Sequence, residues 1–509
     1  VLDLYYAAFR VPDLVFALVA SLVSAYVLIP RITGMDRTEV RRLLSESATF
    51  LFGMGGLICI ALAIWMPQFL EMLYPSFRDS AYQESFVLLS RILLLQPILL
   101  GLSGVLASVT QVHRRFVLFA LSPVLYNVGI IFGTLVLYPL WGLPGIGVGV
   151  IIGAVAYLAV NIPVVIAAGV FPRFTMPTFA LMKGVVRDSV PRSLALGMGS
   201  VTALILTVLA ARLGHGAVSV FTLASNLEAV PLGLIGASYA VAAFPALSAA
   251  AVPEKRKEFT ETLSASARHV ILWSVVALGL IAVLRAYIVR IILGTGAFDW
   301  DATRLTAALL VILAVGLVAQ GLILLFSRAL YAVRQSWQPL VYQIAAGGIT
   351  VFLAVVLIAL PAEQFLAPLA NFLKVGDIQE TAILLLAVAA TLGQLFLVLL
   401  CLWALRSVAP GLGTTLIRPF LDGCIAALAG GAAAYATLTV LGGIAPLTTL
   451  LVVFADGCIA GLVGLAAAAA ALYLLENEEF RIVTAALGRL IHSRSATALT
   501  PSAGEPLKP

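Results

Sequence analysis

The chain has 509 residues, 62% of them hydrophobic and only 11% charged, with a formal net charge of +6. A soluble domain carries about 25% charged residues, so this composition excludes a soluble enzyme. The basic residues are spread over many joints rather than clustered, which also excludes a nucleic-acid-binding surface.

From Val11 to about Leu475, apolar stretches follow one another, separated by short polar joints. Each is roughly 20–30 residues, the length a helix needs to cross a hydrocarbon core about 30 Å thick. The predicted spans are 11–30, 47–74, 85–111, 116–139, 145–170, 190–211, 216–247, 266–294, 304–332, 337–360, 379–406, 414–441 and 447–475. The expected fold is therefore all-α and polytopic, with thirteen visible spans. The tail from Glu476 carries Arg481, Arg489 and Arg494 on an expected amphipathic helix, then turns disordered in Ser, Ala, Pro and Gly.

The joints alternate in charge. One set holds Arg31, Arg37, Arg41 and Arg42, then Arg114 and Arg115, Arg173, Lys183 and Arg187, Lys255, Arg256, Lys257 and Arg268, Arg334, Arg406 and Arg418. The other holds little beyond Arg78, Arg212, Arg304 and Lys374, among acids such as Asp79, Glu84, Asp299, Asp301, Glu363 and Asp377. The positive-inside rule puts the first set and the C-terminus in the cytoplasm. Val1-Leu2-Asp3-Leu4 then opens outside, in what reads as mid-joint, with no starting Met. One missing first span would bring the total to fourteen and the true N-terminus inside.

A weak internal repeat divides the chain. Ala8–Pro30 reads A-F-R-V-P-D-L, an apolar run and a closing Pro; Ala224–Pro245 reads A-S-N-L-E-A-V-P-L, an apolar run and a closing Pro. The turn His113-Arg114-Arg115 is matched by Val333-Arg334-Gln335 at a similar offset. An even number of spans per repeat gives parallel repeats, as in some transporter halves. The expected units are an N-terminal lobe of five visible spans (1–170), a C-terminal lobe of six (188–406), two extra spans (413–475) and a tail (476–509).

No metal-ligand spacing, Walker or other nucleotide motif appears, so no cofactor or metal is expected. The four cysteines, Cys59, Cys401, Cys424 and Cys458, lie in apolar runs and read as packing residues.

Several segments, in order, carry a resemblance. They are A-F-R-V-P-D at Ala8–Asp13, S-P-V-L-Y-N-V at Ser122–Val128, V-P-L-G-L-I-G-A-S-Y-A-V-A-A-F-P-A-L-S at Val230–Ser248, G-A-F-D at Gly296–Asp299 and S-R-A-L-Y-A at Ser327–Ala332. Each is weak alone; together they resemble the MurJ (MviN) family of lipid II flippases, in the multidrug/oligosaccharidyl-lipid/polysaccharide exporter superfamily. The resemblance implies fourteen spans, two six-span lobes around a central cavity, and two last spans forming a groove for a lipid tail. It implies a substrate, lipid II, that is an undecaprenyl-pyrophosphate-linked disaccharide-pentapeptide. That substrate would be turned from the cytoplasmic to the outer leaflet of the bacterial inner membrane by alternating access, coupled to an ion or the membrane potential. No covalent chemistry is implied.

The expected cavity residues follow from it. Arg10 stands where the family carries a basic residue, and Asp3 and Asp13 flank it at polar family positions. Asp3 is expected to pair with Arg10 across two helical turns. Asn226 and Glu228 occupy the matching place in the second lobe; Arg91 and Arg328 complete the set. A pyrophosphate needs such cations, since a guanidinium grips phosphate oxygens in fork geometry, and a charge kept in mid-membrane tends to face a cavity or a partner. The chain also departs from the family: Phe16-Ala17 replace an Arg pair, Ser21 an acid, Ser225-Asn226 an Asp-Arg, and Ala229 a Glu. Asn127 is expected to cap or bridge helices. Asp422 and Asp456, in the near-identical F-L-D-G-C-I-A and F-A-D-G-C-I-A, are expected to make packing hydrogen bonds between closely packed last spans. The rival readings are a lipid-linked polysaccharide flippase, a cation-coupled drug exporter of the same superfamily, and a non-transporting scaffold.

Overall fold

The computed structural model describes residues 1–486 other than 24, 33–34, 79–80, 295–297, 336, 379 and 443–448. Expectations resting on Asp79, Gly296, Ala297, Arg489, Arg494 and the tail beyond residue 486 lie outside the described residues.

The described residues form helices and no strand. In chain order these are α1 Leu2–Leu18, α2 Ala25–Ile32, α3 Arg37–Leu73, α4 Gln83–Val112, α5 Val117–Trp141, α6 Leu143–Ala167, α7 Phe179–Ala211, α8 Ala217–Ala249, α9 Pro253–Leu293, α10 Trp300–Ala332, α11 Gln338–Ala359, α12 Ala362–Phe372, α13 Ile383–Leu405, α14 Leu412–Leu441 and α15 Leu450–Leu474. Twelve of them, α3 to α11 and α13 to α15, are long and apolar enough to cross a membrane, and they coincide with twelve of the thirteen predicted spans.

The remaining prediction, 11–30, needs correction. The helix starts at Leu2, not Val11, and gives way to a 3-10 turn at Ala20–Val23 before α2. Asp3 and Arg10 precede the predicted span, and both lie inside α1, as their expected spacing across two helical turns requires. Helical structure holds them because each finds a polar partner there, as described below. Helices α3 and α9 likewise begin about a turn or more before the predicted edge, with polar first turns R-T-E-V-R-R and P-E-K-R-K-E. Asp36 caps α3: its Oδ1 accepts from the backbone N–H of Thr38 and Glu39, both at 2.8 Å, which satisfies two of the donors a helix start leaves open.

The chain divides into two compact units. The first comprises Val1–Leu223 and Arg334–Leu397. Within it a glycine seam joins α5 and α6. A Cβ on Gly149 would stand 2.7 Å from the Gly129 carbonyl oxygen, and one on Gly133 would stand 2.7 Å from Gly149 Cα. In lipid, such small-residue seams let backbones approach where side-chain burial gives no hydrophobic advantage. Buried Asn161 then bolts α4, α5 and α6 together. Its Oδ1 accepts from Thr110 Oγ1 at 2.9 Å, and its Nδ2 donates to the Tyr157 carbonyl at 3.1 Å and reaches Ser103 and Ser122. Asn127 does not bridge helices; its Nδ2 donates to the Pro123 carbonyl one turn back on its own helix, at 3.0 Å.

The second unit comprises Ala224–Val333 and Val398–Pro509. Here α14 packs on α15 and both pack on α9. Gly430 lies against Gly464, where a Cβ would come 2.7 Å from the Gly464 carbonyl. Asp422 makes the expected packing bond, but with the tail: Asn477 Nδ2 donates to its Oδ2 at 2.8 Å. Arg268 of α9 holds buried Glu479 at 3.1 Å, and Trp273 meets Phe480. The tail is helical over 478–486, and its start, through Asn477, Glu479 and Phe480, docks on α14 and α9. Asp456 is buried beside Tyr287 of α9.

Candidate functional site

The predicted polar residues do not all share one environment. Three of them, Asp3, Arg10 and Asp13, lie on α1 in the first unit. Asp3 is 8% exposed, and its carboxylate is spent on the start of α8. Oδ2 accepts from Gly216 N at 2.6 Å; Oδ1 accepts from Ser219 N at 2.7 Å and from Ser219 Oγ at 2.5 Å. The expected Asp3–Arg10 pair is therefore replaced by an N-terminal cap supplied from another helix. The physical reason is that open N–H groups at a helix start attract a carboxylate through hydrogen bonding and the macrodipole together.

Arg10 is left with donors to spare. Its Nη2 reaches Thr222 Oγ1 at 3.4 Å, a long bond. Its Nε is buried without a hydrogen-bond partner. Tyr74, which feels the Arg10 charge, has a buried hydroxyl that is also without a partner. The ring of Tyr74 is fixed by Phe77 at 5.5 Å and Phe86 at 6.0 Å between centroids. A buried polar group without a partner costs about 1–3 kcal/mol, and both Arg10 Nε and the Tyr74 hydroxyl carry that cost in the first unit. Asp13 lies within electrostatic reach of Arg10, Tyr5 and Tyr126. The backbone of Tyr126 is set by the glycine seam, because Gly153 packs directly against its carbonyl. Tyr74, Tyr126 and Thr222 were not singled out by the sequence. Tyr126 stands inside the S-P-V-L-Y-N-V segment, which was a usable signal; the other two carry no motif.

Arg91 has a different task. Pro67 in α3 has no N–H, so the Ala63 carbonyl four residues earlier loses its helical partner. Arg91 Nε, from α4, donates to that carbonyl at 2.9 Å, and the side chain is otherwise exposed.

The other three belong to the second unit. Glu228 is 5% exposed, and its Oε1 accepts from Gln320 Nε2 of α10 at 2.7 Å. Asn226, two residues earlier on α8, is exposed. Arg328 is half-buried near the end of α10. Among the described residues no group of three or more His, Cys, Asp or Glu is placed to hold a metal ion.

Comparison with known proteins accords with this picture. Residues 1–454 match the family model of the lipid II flippase MurJ. A probable lipid II flippase MurJ of Rhizobium tropici is 26% identical over 385 residues, covering 72% of this chain and 70% of that protein. The lipid II flippase MurJ of Burkholderia cenocepacia is 26% identical over 346 residues, covering 65% of this chain and 66% of that protein. In fold, the chain is similar to a solved lipid II flippase MurJ in an inward closed conformation, with TM-score 0.69 and 19% identity over 91% of each chain. It is also similar to an inward-facing multidrug resistance MATE transporter of the MOP superfamily, with TM-score 0.64 and 16% identity over 81% of this chain and 94% of that one. The chain is thus a multi-pass membrane protein, and it belongs to the lipid II flippase MurJ family.

Proposed function

We propose that this chain moves lipid II from the cytoplasmic to the outer leaflet of the bacterial inner membrane by alternating access, and that Arg10 and Tyr74 receive oxygens of its pyrophosphate. The observation that carries the site is the pair of buried, unpartnered donors, Arg10 Nε and the Tyr74 hydroxyl. A pyrophosphate offers several charged acceptors at once, and charge-assisted bonds to a guanidinium are roughly twice as strong as neutral ones. Asp13 and Tyr126 would orient the sugar-bearing side, and Asp3 would act through the α8 start rather than by touching substrate. In the second unit, Asn226 is exposed to take a polar substrate group, while Glu228 is held by Gln320.

The lobe boundaries 1–170 and 188–406 belong to the same reading, as does a lipid-tail path along helices 413–475. Support for the path is the apolar, outward face that α14 and α15 present, including Leu428, Tyr435, Leu451, Leu462 and Tyr473. The basic joints favour a cytoplasmic C-terminus. Coupling to the membrane potential or an ion would supply the driving force, at about 2.3 kcal/mol per charge per 100 mV.

The test is rescue of a strain depleted of its lipid II flippase by the full-length gene. Rescue is expected from the parent, with strong loss in Arg10→Ala and partial loss in Tyr74→Phe at unchanged protein level. Full rescue by Arg10→Ala would remove Arg10 from the site; no rescue by the inserted parent would remove the substrate reading.

A further inference from the structure

A cavity lies in the first unit, and neither Arg10 nor Tyr74 lines it. It has a volume of about 640 Å³, within the roughly 300–1,000 Å³ of ligand sites. None of the seven predicted site residues lines it. Its wall is formed by Ile32 at the end of α2, by the start of α3, by the turn between α4 and α5, and by the end of α6. Two kinds of surface meet there. Arg37, His113 and Arg115 contribute cations or a ring nitrogen, while Val112, Leu118 and Val164 contribute an apolar face.

Arg37, His113 and Arg115 are exposed. Among the described residues no carboxylate lines the cavity. The nearest acid in sequence, Asp36, spends its Oδ1 on capping α3. Neither Arg37 nor Arg115 has an ion-pair partner among the described residues. The α4–α5 turn is held in place by a left-handed Arg114, with φ 56°. The His113 ring is pinned by its Nδ1 at 3.0 Å from the Val109 carbonyl.

We propose that this cavity holds an anionic glycerophospholipid, with its phosphate against Arg37 and Arg115 and its chains on the Val112–Leu118–Val164 wall. The cavity sits where apolar helices give way to the basic joints, the depth at which a lipid phosphate lies. Basic pockets between membrane helices on that side suit anionic head groups. A soluble anion would leave the apolar wall wet, and an uncharged lipid would draw no attraction from the two arginines.

The test uses the full-length protein in nanodiscs of phosphatidylcholine with or without phosphatidylglycerol. Lipids retained by the protein are counted by native mass spectrometry. The parent should retain phosphatidylglycerol over phosphatidylcholine. Arg37→Gln with Arg115→Gln should weaken that preference by more than about tenfold. Ala167→Trp, which fills the cavity and keeps the charges, should also abolish it. Equal retention in all three proteins overturns the site.

A mild single variant, Ala167→Cys, decides the matter if the others do not fold. Its maleimide labelling, above that of the parent cysteines, should be slowed by phosphatidylglycerol but not by phosphatidylcholine. Equal labelling in both lipids overturns the proposal. So does equal protection by inorganic phosphate alone, which would mean that the apolar wall is not used.

Discussion

Arg91 Nε donates at 2.9 Å to the Ala63 carbonyl, the acceptor that Pro67 leaves without a helical donor. A gap in the backbone of α3 is thus closed by a side chain of α4. In lipid such a gap is costly, because no water is at hand to fill it. The position of an arginine in a membrane helix therefore does not by itself mark a substrate site.

Arg91→Ala should destabilise the protein by about 0.5–1.5 kcal/mol while leaving rescue of a flippase-depleted strain intact. Thermal unfolding in detergent, read alongside rescue, checks this. Unchanged stability with lost rescue would return Arg91 to the transport site.

Asp3 should rank by cap quality. Asp3→Ala removes the acceptor for three hydrogen bonds at the α8 start, with an expected loss of about 0.5–2 kcal/mol. Asp3→Asn keeps one acceptor oxygen and should lie between the two. The measurement is thermal unfolding of the series, and a variant order that departs from Asp, Asn, Ala would contradict the cap.

Glu228 and Gln320 should prove coupled. Glu228→Gln can still accept from Gln320 through its amide oxygen, whereas Glu228→Ala leaves the Gln320 amide unpaired. A double-mutant cycle with Gln320→Ala should give a coupling of roughly 0.6–1.7 kcal/mol, the span seen for interhelical bonds in membranes. Zero coupling would mean that the 2.7 Å bond carries no net energy.

The glycine seam gives a contrast within one unit. Gly149→Leu should collapse folded protein yield, because its Cβ alone meets Gly133 and Gly129 backbone. Gly104→Ala in α4 has nothing within 4 Å of the new methyl and should gain up to about 1 kcal/mol from helix propensity. Size-exclusion profiles of the two variants, compared at equal expression, decide it.

Legibility in the sequence varied with the kind of information. Twelve spans were readable because a bilayer imposes one length and one polarity on every crossing helix. The segment around Arg10 was readable as a family motif, but its register was not. The sequence began the span at Val11 with Arg10 at its mouth, since polar residues usually end a span; the structure starts α1 at Leu2, where Gly216, Ser219 and Thr222 answer Asp3 and Arg10. The two basic turns, H-R-R and V-R-Q, both take the same left-handed backbone, with φ 56° at Arg114 and 62° at Arg334.

By itself, then, the sequence determined that this is a helical membrane protein, where most of its spans run and which family it resembles. Those properties rest on composition and local order, which survive without knowledge of neighbours. Only the tertiary structure decided which partner each of these polar residues takes. Asp3 caps, Arg91 fills a proline gap, Glu228 bonds Gln320, and Arg10 keeps donors unspent. Chain order cannot rank these roles, because a hydrogen-bond partner lies across space, often more than ninety residues away, and the partner alone separates a structural charge from one held ready for a ligand.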